Sequence, residues 1–171
     1  MKIEWLHSKH KGHELTHWSV LGPMAILHSL QNPLEDFGGR PAARLHEIGA
    51  RKFVSRSFEH QQAVGIFERL KLISQTHPTV LEAPAALVKT PHSGTIILTR
   101  FKADTNGERM TTLTEILKSG SLKQVKRATL SAATELALLN SQGVLHNHPS
   151  PGNILVDSKN KVIVANTEQF N

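Results

Sequence analysis

An α+β fold, built as two small lobes, is what this 171-residue sequence predicts. Three observations carry that expectation. Residues 43–101 alternate as strand pair, helix, strand pair; residues 121–141 hold one long amphipathic helical pattern; and residues 143–166 run from a helix stop through a Pro/Gly loop into two short β-branched runs. Strand pairs joined by short turns imply antiparallel sheet, and the helices supply the faces that cover it.

The first forty residues are the least regular. His7, His10, His13 and His17 recur in a polar segment, which raises a metal site. Gly12 weakens a helix that would align them, and neither a cysteine nor a convincing acidic ligand completes a set, so a solvated histidine-rich segment is the favoured reading. Trp18–Leu30 is apolar enough to pack as a helix or a strand after the Gly22-Pro23 break, and Asn32-Pro33 and Gly38-Gly39 read as turns. The pattern sharpens from Ala42. Ala43–Ile48 and Lys52–Phe58 form a hairpin about Gly49-Ala50, with Val54 and Arg56 on one face of its second strand. A helix of about Glu59–Gln75 follows, its stripe being Ala63, Ile66, Phe67, Leu70 and Ile73, and His77-Pro78 ends it. Ala85–Thr90 and Thr95–Phe101 make a second hairpin around Pro91-His92-Ser93-Gly94.

Lys102–Arg109, which contains Asn106-Gly107, is a polar connection with the character of a hinge. Thr112–Lys118 is a short helix capped by Thr111 or Thr112. Ser121–Ser141 is the clearest helix, with Ser121 as N-cap, Gly143 as stop, and Leu122, Val125, Thr129, Ala132, Ala133, Leu136 and Leu139 or Asn140 along its inner side. Asn153–Val156 and Val162–Ala165 then pair around Ser158-Lys159-Asn160.

Composition narrows the classes of function. A net charge of +6 favours phosphate-bearing ligands or an anionic surface, although the basic residues are scattered and a solvated basic surface explains them as well. Six Phe, two Trp and no Tyr are too few for a single-strand nucleic-acid stacking platform, so no nucleic-acid partner is expected. With no cysteine there is no disulfide, thiolate nucleophile or cysteine-ligated zinc. No apolar run approaches the roughly 18–20 residues of a spanning helix, and Met1–Trp5 carries no signal-peptide core; the default expectation is cytoplasmic, with peripheral membrane contact left open.

The stretch Gly143-Val144-Leu145-His146-Asn147-His148-Pro149-Ser150-Pro151-Gly152-Asn153-Ile154-Leu155-Val156-Asp157 resembles the catalytic loop of the protein-kinase-like superfamily. It is most similar to the Pro-Gly-Asn-Ile-Leu form of small bacterial kinases such as aminoglycoside and lipopolysaccharide-core phosphotransferases. The intervals from 148 to Asn153 to 166 match that family's spacing of base, first metal ligand and second metal ligand. The resemblance implies a two-lobed kinase-like fold over residues 1–171. Residues 42–101 would be the N-lobe and 102–171 a minimal, truncated C-lobe, since five residues follow Asn166; residues 1–41 stay unassigned.

Residue by residue, the resemblance implies that Asn153 binds Mg²⁺, that Thr99-Arg100-Phe101 form the adenine hinge with Leu155 also at the cofactor, and that Arg56, with Lys52 as the outside candidate, replaces the phosphate-holding lysine. His148 stands where the base Asp belongs, and Asn166 where the second metal-binding Asp belongs. The helix glutamate falls near Ile66, with Glu68 the nearest acid, and Gly38-Gly39 is a reduced stand-in for the glycine-rich loop. A carbonyl oxygen without charge binds Mg²⁺ weakly, and losing a positioned base removes about 10²–10⁴-fold in rate, or about 3–5 kcal/mol. ATP binding with impaired phosphotransfer is therefore the leading expectation, with a protein partner completing the C-lobe. An active phosphotransferase acting on a sugar or other small acceptor with His148 as base, and a basic interaction module without ligand, are the alternatives.

Overall fold

The computed structural model describes residues 4–38, 41–76, 83–92, 94–101, 103, 109–145 and 149–165. The chain divides into two compact units, Met1–Lys71 with Ala83–Phe101, and Leu72–Glu82 with Lys102–Asn171.

The first unit is a seven-stranded antiparallel sheet in the order β1-β2-β6-β7-β5-β4-β3. Its outer hairpin, β1 (Trp5–His10) and β2 (His13–Trp18), occupies the histidine-rich segment. Lys11 and Gly12 turn it at φ 47° and 79°, the left-handed pair that matches strand twist in a two-residue hairpin. The expected solvated segment is thus a hairpin, exposed at His7 and enclosed at His17. His17 is buried, its Nδ1 2.8 Å from the Trp18 carbonyl oxygen and its Nε2 3.2 Å from Ser8 Oγ. Strand alternation puts His7 on the face opposite His10, His13 and His17. No cluster of three metal-ligating side chains occurs among the described residues.

Helix α1 (Pro23–Gln31) starts on Pro23, whose missing N–H costs nothing at that position. Ile26 and Leu27 pack with Trp18, Phe53, Val88 and Leu98 on one face of the sheet. Strands β3 (Glu35–Gly38), β4 (Ala43–Ile48) and β5 (Arg51–Phe58) follow, then α2 (His60–Thr76). The expected stripe of α2 is the buried one: Ala63, Ile66, Phe67 and Leu70 pack with Ile97 on the opposite sheet face. Strands β6 (Pro84–Lys89) and β7 (Thr95–Arg100) close the unit. Three edge-to-face ring contacts, Trp5–Phe67, Trp5–Trp18 and Trp18–Phe53, join the packing of the two faces. His46 ties α1 to the sheet. Its Nδ1–H donates to the Ser29 carbonyl at 2.8 Å, and its Nε2 accepts from Ser55 Oγ at 2.7 Å.

The second unit pairs α3 (Leu113–Ser119) and α4 (Leu122–Ser141) with a small sheet of β8 (Thr111–Thr112), β9 (Ile154–Val156) and β10 (Val162–Val164). Thr112 caps α3 through a reciprocal box with Glu115, and Ser121 caps α4. The expected inner side of α4 holds at Val125, Ala132, Leu136 and Leu139 and fails elsewhere. The buried line of α4 is Ala128, Ala132 and Leu139, flanked by Val125 and Leu136, whereas Leu122, Thr129 and Ala133 are exposed. Alanine and leucine are spread around this helix, so the neighbouring surface chose its phase. The expected breaks at His77-Pro78 and Asn106-Gly107 lie outside the described residues.

Candidate functional site

In the first unit, register builds a row across three strands. Gly38 of β3 faces Ala43 of β4, and Ala43 faces Arg56 of β5. At about 4.8 Å per strand, Gly38 lies two strand steps from Arg56. The turn is held by Asp36. Its Oδ1 accepts the Gly38 N–H at 2.8 Å and its Oδ2 accepts Arg44 Nε at 3.1 Å. The Gly38 amide, and then Arg44, hold this carboxyl below its ordinary range. Gly38 itself sits at φ 68°, where a side chain would be strained. Asp36 was not among the expected site residues; the signal was an Asp two positions before a turn glycine, an Asx-turn arrangement.

Arg56 faces Ile97 across β5 and β7, and Ile97 packs under α2, so Arg56 is on the α2 side of the sheet. Thr99 faces Val54 and therefore shares that side. It is buried, and its hydroxyl lies 3.4 Å from the Val54 carbonyl. Arg100 is exposed and Phe101 half-buried. Their N–H groups bond Ala83 and Lys52 carbonyls at 2.8 and 3.0 Å. Both of these amides are therefore engaged within the first unit. Ile66 is buried under the sheet, and both Glu68 carboxylate oxygens accept Lys71 Nζ, at 3.1 and 3.0 Å.

In the second unit, Pro151–Asn153 forms one 3-10 turn that opens directly into β9. Asn153 N–H bonds the Ser150 carbonyl at 2.9 Å, and its carbonyl accepts the Ala165 N–H at 2.7 Å. The turn residue is thus clamped to the residue that immediately precedes Asn166 in the chain. Asp157 shapes the tip of the hairpin, accepting the N–H groups of Lys159 and Lys161 at 2.8 and 2.7 Å, with Asn160 at φ 62°. Ile154 and Val156 point into the core of the unit. Leu155, between them, faces the other way beside Ile163 and is half-buried. His148 and Asn166 lie outside the described residues, as does His146.

No protein-family model matches the chain, and no curated protein matches it. Solved structures do. The kinase PK-1 of Cydia pomonella granulovirus superposes with a TM-score of 0.62, covering 86% of this chain and 55% of that one at 13% identity. Identity that low speaks to the fold and to nothing finer. The chain has an α+β, protein-kinase-like fold, and it spans about half the length of the viral kinase it matches.

Proposed function

We propose that this kinase-like domain binds a nucleoside triphosphate and transfers its phosphate weakly or not at all, acting by regulation. The observation that carries the reading is the row Gly38–Ala43–Arg56, which aligns a glycine in left-handed backbone on β3 with a guanidinium two strands away on β5. A fork of N–H donors clamps phosphate oxygens in two places at once and needs no metal to do so. Asn153 supplies a neutral oxygen, and its clamp to Ala165 supports a metal position shared with Asn166. With two neutral amides in place of carboxylate ligands, Mg²⁺ is held weakly. With an imidazole at 148, the aligned carboxylate that accepts the acceptor's proton is replaced by a group that adds positive charge when protonated. Binding survives these changes more readily than turnover.

The test is a thermal shift with millimolar ATP, with and without Mg²⁺. Saturation at about a hundred times Kd raises stability by about 2.7 kcal/mol, which gives a readable shift. The shift should change little when Mg²⁺ is removed and vanish in Arg56→Ala. No shift in the wild-type protein sinks the nucleotide reading. The pair His148→Asp with Asn166→Asp should make the shift depend on Mg²⁺. Radiolabelled ATP turnover that is present in wild type and lost in His148→Ala would replace the weak-transfer reading with the active phosphotransferase.

A further inference from the structure

The outer side of α4 is an apolar stripe that starts in positive charge. Lys123, Arg127, Leu130, Thr134 and Leu138 recur at intervals of four and three residues, so they share one face, opposite the buried Ala128, Ala132 and Leu139. Leu130 is 66% exposed and Leu138 47%, and Leu122 at the first turn is 85% exposed. The hydroxyls of Thr134 and Ser141 are directed at the Leu130 and Leu138 carbonyls, at 2.9 and 2.8 Å, which leaves the stripe apolar along its second half. At its first half, Lys123 and Arg127 border a hollow of about 310 Å³ closed by Ser121, Asp157, Ser158 and Asn160. Lys126 is also exposed, and the one acidic residue of α4, Glu135, is half-buried.

We infer that this face docks an acidic amphipathic helix of another polypeptide. Leu130 and Leu138, about two turns apart with the small residues Ala133 and Ala137 between them, fit the apolar ridge of a partner helix, and the basic end selects carboxylates. A second copy of this chain fits less well. It would bring the same three cations and no exposed acid on this helix, and Asp157, the acid that shares the hollow with Lys123 and Arg127, is already engaged by the Lys159 and Lys161 amides. An anionic membrane meets the charge but not the shape, because α4 offers no aromatic residue to the interface and only a thin apolar edge. The inference is independent of nucleotide binding.

The probe is a synthetic twenty-residue helical peptide with Leu at heptad a and d positions and Glu at the flanks, read by fluorescence anisotropy against the full chain. The expected result is saturable binding that weakens with salt and falls at least tenfold in Leu130→Glu and in Lys123→Glu/Arg127→Glu. Leu34→Ser, at an exposed leucine of the first unit, should bind as wild type does. All variants should melt at unchanged temperature. Equal binding of a peptide with Lys in place of Glu overturns the inference. So does an absence of binding, a preference for phosphatidylserine vesicles, or a sedimentation-detected dimer that Leu130→Glu dissolves.

Discussion

The two units cover their central elements to different extents. In the first, both faces of the seven-stranded sheet are covered, by α1 on one side and α2 on the other, and Phe53, Phe67, Ile26 and Leu98 are fully buried. In the second, a three-stranded sheet and α3 cover one side of α4 and leave Leu122, Leu130 and Leu138 open. A sheet buried on two faces obtains its stability from its own packing. A helix covered on one face keeps apolar area in reserve for another surface. The candidate site residues divide likewise: Arg56 and Gly38 are positioned by strand register, Asn153 by a local turn and two backbone bonds.

The largest effect expected from this contrast is in the cores. Phe53→Ala removes a ring that meets Trp18 edge to face and should cost about 3–5 kcal/mol in denaturant unfolding. Leu139→Ala, in the smaller cluster with Ile73 and Val164, should cost about 2–3 kcal/mol. A larger loss at Leu139 would reverse the comparison.

Acid should strike the first unit earlier than the second. Burial, partly opposed by the bond to the Ser29 carbonyl, lowers the pKa of His46 from its ordinary 6.5. A folded value below the unfolded one means that its contribution is complete above about pH 6.5 and declines as the pH falls below it. The slope is at most about 1.4 kcal/mol per pH unit for one group. Unfolding midpoints measured from pH 7.5 to 5 should show this decline, and His46→Gln should flatten it; an equal slope in the variant removes His46 as the cause.

In the second unit the corresponding group is Glu115, whose carboxyl is held below its ordinary 4.5 by the Thr112 amide and hydroxyl. Its contribution is present above about pH 4.5 and is lost as the pH falls through the lower folded value, so acid destabilisation there starts some two pH units later. Thr112→Ala opens the box and should cost about 1 kcal/mol at neutral pH. The smallest effect belongs to the open face of α4. Leu130→Glu should change stability by no more than about 0.5 kcal/mol, and a larger loss would mean that this face is already covered.

Much of the fold was legible because its signals are local. The hairpin at 43–58, the stripe of α2, the Thr112 and Ser121 caps and the final β9–β10 hairpin are each written in a few adjacent residues. The outer hairpin was not. Its strands carry histidine, lysine and serine where a half-buried strand usually shows branched apolar residues, and four histidines drew attention to metal. The Lys11-Gly12 turn between two equal runs was the signal that pointed to strands. For the site, alternation correctly paired Val54 with Arg56 on one face, whereas the role of Asp36 at Gly38 was missed.

Period, caps and turn residues determine which segments of this chain become strand or helix, because those choices rest on contacts within a few residues. They also set the interval between Asn153 and Asn166, since a short hairpin of defined length separates them. Only the tertiary structure decided that Gly38 lines up with Arg56, which residues bound the buried stripe of α4, and which histidines are enclosed. Those outcomes depend on register and on partner surfaces contributed by residues far away along the chain, and no local pattern encodes them.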